Sequence, residues 1–179
     1  MAIQYKRILL KVSGEALSGP KARALMRRPS LHLRGHQGCA RPRCQIGIVV
    51  GGGNFWRGRS SGKMDRMDAD KIGMLATVMN ALAVKDALRQ QGVDAVVMTS
   101  SFMPQVAECF TSDKAIAALE SGKIVVFGGG TGNPIFSTDT ASALRALEIG
   151  ADAMFKPRWS TASMTRTPTS TPTPCATTR

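Results

Sequence analysis

Three places in the sequence gather residues suited to holding phosphate. They are Lys11-Val12-Ser13-Gly14-Glu15, Gly51-Gly52-Gly53-Asn54, and the run from Gly128 to Thr138. Glycine lets backbone N–H groups approach an anion with no Cβ in the way, and a helix starting behind such a loop adds a favourable dipole. One glycine triplet is ordinarily just a tight turn, but three such loops, each after an apolar run, favour anion binding. None has the spacing G-x-x-x-x-G-K-[ST] or G-x-G-x-x-G, so neither a P-loop nor a dinucleotide fingerprint is present. That leaves Lys11 as the cation of interest. At the end of an apolar strand it reads equally as a solvated surface lysine or as one aimed at a phosphate in transfer.

The elements that must position these loops follow from periodicity. Ile46 to Val50 is a β-branched run that ends at the glycine triplet. Ile72, Leu75, Met79 and Leu82 then recur at spacings of three and four, which puts them on one face of a helix closed by Gly92. Whether that face is core or subunit interface stays open. Val93 to Met98 is a strand, Ser112 to Glu120 a short helix stopped by Gly122, and Lys123 to Phe127 a strand that runs into the third glycine loop. Ser137-Thr138-Asp139 offers N-cap residues for a helix carrying Ala141, Leu144 and Leu147 on one face; Gly150 ends it, and Ala153 to Lys156 begins another strand. Alternating strands and helices imply an α/β fold, a three-layer α/β/α sandwich with a mainly parallel sheet, because parallel strands require crossovers. Ligands bind at the carboxyl ends of such strands, where all the glycine loops fall.

Charge separates this body from two unlike segments. The formal net charge of the 179 residues is +12, yet it is concentrated. Residues 21 to 44 hold Lys21, Arg23, Arg27, Arg28, Arg34, Arg41 and Arg43; residues 156 to 179 hold Lys156, Arg158, Arg166 and Arg179; neither contains Asp or Glu. The rest of the chain is close to neutral, which argues against a nucleic-acid-binding protein despite the overall basicity. No apolar run approaches the ~20 residues of a membrane-spanning helix, and the amino-terminal residues do not read as a secretory signal. A cytoplasmic protein with no membrane or specific nucleic-acid partner is expected.

Longer motifs carry a family resemblance. Lys6 to Leu17 (KRILLKVSGEAL), Gly51 to Gly58 (GGGNFWRG), Gly73 to Ala83 (GMLATVMNALA) and Gly130 to Asp139 (GTGNPIFSTD) resemble, in order, the motifs of the bacterial UMP kinases, a branch of the amino acid kinase family. The likeness covers residues 5 to 19 and 45 to 156. It implies transfer of a phosphoryl group from Mg²⁺-ATP to UMP, with Lys11, Val12, Ser13 and Gly14 on the ATP phosphates and Gly53 and Arg57 assisting. It further implies that Gly52, Asp70 and the loop of Thr131, Gly132, Asn133, Pro134, Ile135, Phe136, Ser137 and Thr138 hold UMP. Lys11 and Asp139 would be catalytic, Lys11 neutralising charge on the group in flight and Asp139 orienting it. A homohexamer regulated by GTP and UTP is also implied.

The resemblance breaks twice. Residues 20 to 44 replace a helix that the family fills with acidic and aliphatic residues, and after Lys156 the family's adenine-holding loop gives way to Pro-Arg-Trp-Ser and then Thr-Pro repeats. The domain is therefore read as residues 1 to 156 with an aberrant insert at 20 to 44, followed by a tail, 157 to 179, with the composition of a disordered segment. Abrupt loss of acidic residues with enrichment in Arg, Pro, Thr and Cys suggests out-of-frame translation, and the chain as written is expected to have little or no kinase activity. Three other readings compete: a related kinase acting on a carboxylate or carbamate; a basic nucleic-acid-binding module using the Arg-rich segments, which lack interleaved aromatics; and a zinc site of His32, His36, Cys39 and Cys44, whose spacings are looser than those of zinc modules. Cys109 reads as a small, at least partly buried hydrophobe.

Overall fold

The computed structural model describes residues 5–18, 44–56 and 64–156. In chain order the elements are β1 (Arg7–Val12), α1 (Gly14–Ser18), β2 (Gln45–Val50), α2 (Arg66–Gln90), β3 (Ala95–Thr99), β4 (Glu108–Cys109), α3 (Ser112–Glu120), β5 (Ile124–Gly128), α4 (Thr138–Glu148) and β6 (Ala153–Phe155). The six strands form one sheet in the order β4-β3-β5-β2-β1-β6, and each pairing between them is parallel. Four neighbours, β5, β2, β1 and β6, therefore deliver their carboxyl ends side by side.

Side-chain alternation along the strands divides the core in two. Ile48, Val50, Val97 and Val126 face one way and pack with Ala81, Val84 and Leu88 of α2 and Leu17 of α1. Leu9, Val49, Met98, Val125 and Phe127 face the other way and pack with Ala115 and Leu119 of α3 and Ile149 at the end of α4. This gives the expected three layers. A sheet covered on both faces needs strands that are apolar throughout, and β5 is buried at every residue.

The helix ends obey their local chemistry. Asp65 caps α2 by accepting from the N–H groups of Met67 and Asp68, Thr111 caps α3, and Ser137 caps α4 by accepting from Thr140 N–H. The N-cap in the Ser137-Thr138-Asp139 run is thus Ser137, and Asp139 lies within the first turn, free for other work. Gly92, Gly122 and Gly150 follow the three helices with φ of 76°, 89° and 61°, the left-handed conformation that terminates helices at little cost only for glycine.

Two apolar stripes lie elsewhere than against the sheet. On α2, Ile72, Leu75 and Met79 are 37%, 52% and 47% exposed, with Leu82 half-buried. The sheet-facing side instead carries Ala76, Thr77, Asn80, Ala81 and Val84. Small residues let the helix lie close to the strands: a Cβ on Gly52 would come within 2.8 Å of the Gly73 carbonyl. On α4 the buried side is Ala141, Ser142 and Arg145, while Leu144 and Leu147 point outward, so the 141/144/147 spacing marks a face that is buried only at Ala141.

Candidate active site

Three loops meet at the carboxyl ends of β1, β2 and β5. Gly14, behind β1, touches the loop behind β2 so closely that a Cβ there would sit 2.4 Å from Asn54 Oδ1 and 2.6 Å from the Gly51 carbonyl. Only glycine fits at that crossing. The loop behind β5 reaches them through Thr138, whose Oγ1 would lie 3.7 Å from a Cβ on Gly51.

The long helix α2 tethers the loops behind β2 and β5 by polar side chains. Asn80, fully buried, donates to the Gly51 carbonyl at 2.7 Å and to Asn54 Oδ1 at 2.7 Å, and accepts from Asn54 Nδ2 at 3.2 Å. Three turns of hydrogen-bonded backbone thus connect it to Asp70, whose carboxylate accepts from Ile135 N–H at 2.8 Å and pairs with Arg66 at 3.0 Å. Between them Thr77 Oγ1 accepts from Gly129 N–H at 2.8 Å. Ile135 has φ of 78°, a strained conformation for a β-branched residue, and the hydrogen bond to Asp70 helps to hold it there.

Between α2 and the β5 loop opens a cleft of 780 Å³. Gly52, Gly53, Asp70, Thr131, Asn133 and Pro134 line it, as do Ile135, Phe136, Ser137, Thr138 and Asp139. Of the residues expected to hold a nucleotide acceptor, Gly132 alone stands apart, packed against Ser100. Arg57 and the zinc candidates His32, His36 and Cys39 lie outside the described residues. Cys44, the fourth candidate, is half-buried and its thiol donates to the Gln45 carbonyl at 3.7 Å.

At the edge of the cleft Asp139 joins two lysines. Its Oδ1 lies 3.0 Å from Lys11 Nζ and its Oδ2 lies 2.9 Å from Lys156 Nζ. Lys11 is enclosed, only 9% exposed, so the choice between a solvated surface lysine and one directed inward goes to the latter. Val12 is buried beside it, and Ser13 Oγ accepts from Ala16 N–H at 3.3 Å to start α1. The hydrogen bond from Lys156, with the bond and charge of Lys11 behind it, holds the Asp139 carboxyl below its ordinary value against the opposing effect of partial burial. Deeper in the same loop, the buried guanidinium of Arg145 reaches the Gly130 carbonyl, stacks over Phe110 at 3.9 Å from the ring centroid and pairs with Glu148.

The family profile described as the amino acid kinase family matches residues 6–156. The chain belongs to the amino acid kinase family. The chain is 52% identical over 158 residues to the uridylate kinase of Oenococcus oeni, a match covering 85% of the chain and 65% of that protein. Its structure is similar to the UMP kinase of Bacillus anthracis, with a TM-score of 0.74 and 32% identity over 86% of this chain and 65% of that one. It is equally similar to the UMP kinase of Ureaplasma parvum, with a TM-score of 0.74 and 30% identity over 85% of this chain and 66% of that one. The chain thus spans slightly less than two thirds of the length of these relatives.

Several residues of the cleft are given no role by the motifs. Arg66 and Trp56 line it, and the indole N–H of Trp56 is buried without a hydrogen-bond partner among the described residues. Lys156 reads in sequence only as the end of a strand. The available signal was positional: β1 and β6 pair with Leu10 opposite Phe155, and a lysine follows each, Lys11 within β1 and Lys156 just beyond β6.

Proposed function

We propose that the cleft binds UMP and that the chain is built to transfer the γ-phosphoryl group of Mg²⁺-ATP to it, giving UDP and ADP. The observation that carries this reading is the enclosed Lys11, held by Asp139 at the edge of a cleft that the acceptor-loop residues line. Phosphoryl transfer between two phosphates needs no covalent enzyme intermediate; positioning and neutralisation of charge supply most of the rate. The backbone of Val12, Ser13 and Gly14, with Gly53 and Arg57, would hold the donor phosphates, and Lys11 would offset charge on the group in flight. Asp70 would accept from the ribose, exchanging that bond for the one it makes to Ile135. Thr138 would donate to the UMP phosphate, and the backbone of the loop from Thr131 to Ser137 would enclose the base and sugar.

Mg²⁺ fits this site as a passenger of the nucleotide. No cluster of three or more His, Cys, Asp or Glu occurs among the described residues, whereas Mg²⁺ at kinase sites takes one or two carboxylates together with substrate phosphates. Asp139 is the carboxylate at hand. When bound, the metal would supply positive charge that offsets the donor phosphates, with Asp139 helping to hold it.

Assembly follows from α2. Its exposed stripe of Ile72, Leu75 and Met79 suits a subunit interface, in keeping with the homohexamer and the GTP and UTP control implied by the resemblance. No described helix is long and apolar enough to cross a membrane, and a cytoplasmic setting fits a nucleotide substrate.

The deciding experiment takes the chain with residues 20 to 44 and the segment after Lys156 restored to the family's pattern, incubates it with Mg²⁺-ATP and, in turn, UMP, CMP, AMP, GMP, carbamate and acidic amino acids, and separates the products. UDP should form in preference to all others. Equal turnover of CMP or of a carboxylate acceptor would overturn the assignment of UMP.

A further inference from the structure

Lys156 has no role in the reading above, yet it is bound into the same centre. Parallel pairing of β1 with β6 puts Leu10 opposite Phe155, so the two strands deliver Lys11 and Lys156 side by side. Asp139, from the first turn of α4, gives one carboxylate oxygen to each, at 3.0 Å and 2.9 Å. One lysine would suffice to neutralise one carboxylate. The second leaves the centre with a surplus positive charge, at the mouth of three glycine loops where an anion would sit.

The two lysines differ in access. The Lys11 side chain is 11% exposed and that of Lys156 is 55% exposed. A lysine on a flexible stem, held by a single contact to a carboxylate, can turn its remaining N–H donors to an incoming phosphate without leaving that contact. We propose that Lys156 is a second phosphate ligand of this centre, held opposite Lys11 by their shared partner Asp139, and that it binds the triphosphate end of the donor nucleotide. The assignment rests on the kinase reading for its role in catalysis, though not for phosphate binding itself. Asp139 then spaces the two cations as a positioning residue. Its lowered carboxyl value agrees, since the bond from Lys156 is the largest cause of the shift and keeps the bridge ionised.

The test compares the full chain with Lys156→Met and Lys156→Arg. Affinity for inorganic tripolyphosphate and for UMP is measured by calorimetry, and UDP formation from Mg²⁺-ATP is followed in a single turnover with the same substitutions in the enzyme whose residues 20 to 44 and segment after Lys156 are restored to the family's pattern. Tripolyphosphate has no base or sugar, so its binding reports the phosphate centre alone. Lys156→Met should weaken tripolyphosphate binding by about tenfold and slow transfer by about a hundredfold, with UMP affinity changed by less than about twofold. Lys156→Arg should restore most of the tripolyphosphate affinity because it keeps the charge. Equal tripolyphosphate binding by wild type and Lys156→Met, or none by the wild type, overturns the proposal. A matching loss of UMP affinity also overturns it, because it would show general damage to the cleft. A restored enzyme that makes no UDP, with the tripolyphosphate difference intact, sinks the UMP kinase reading and leaves Lys156 as a phosphate ligand.

Discussion

The chemistry of this site is concentrated in charged groups that touch one another. Lys11 is enclosed and paired, so replacing it by alanine removes a cation from the point where charge develops in transfer. On the proposed reaction, and in the enzyme with residues 20 to 44 and the segment after Lys156 restored, Lys11→Ala should lower kcat by about 10²- to 10³-fold with little change in the KM for UMP. A variant altered only in KM would assign Lys11 to ground-state binding. Asp139 carries a prediction in pH. Its folded carboxyl value lies below the unfolded one, so the stability it contributes is present above the ordinary carboxylate value and is lost as pH falls through the lowered value. Carbon-13 detected titration of the Asp139 carboxyl should show the depressed midpoint in the wild type and a rise toward normal in Lys156→Met. An unchanged midpoint would mean that Lys156 does not hold the carboxylate in solution.

At the scale of elements, the decisive contacts are polar and buried. Asn80 satisfies the Gly51 carbonyl and Asn54 together, so Asn80→Leu leaves both without their partner inside the protein. The cost expected is about 1–3 kcal/mol, read from urea unfolding, and Asn80→Ser should recover little because it cannot make both bonds. The sequence showed where these elements stop, because Gly92, Gly122 and Gly150 end their helices for a reason of backbone geometry that holds in any context. It was less informative about which way the helices face. The most apolar stripe on α2 points outward, since close approach to the sheet selects Ala76 and Ala81 for size rather than hydrophobicity. The five-residue α1 and two-residue β4 are too short to leave a periodic trace. Lys156 was hidden for another reason: its meaning depends on strand pairing between residues far apart in the chain.

For the molecule as a whole, the outward stripe on α2 predicts self-association. Leu75→Lys with Met79→Lys should shift sedimentation toward the monomer while leaving the unfolding midpoint of the domain nearly unchanged, because neither side chain is part of the buried core. Loss of folded protein would place the stripe in the core, and an unchanged sedimentation coefficient would place the interface elsewhere.

Helix α2 meets the glycine loops through Asp70, Thr77 and Asn80, side chains on one rigid rod of 25 residues. The opening of one loop is therefore not a private event. Slippage of the rod would release Gly129, Ile135 and the Gly51 carbonyl together, and a ligand that fixes any one of them slows the breathing of the rest. In amide hydrogen exchange, Gly129 and Ile135 should then gain protection in step when UMP is added, although they hang from different turns of the helix.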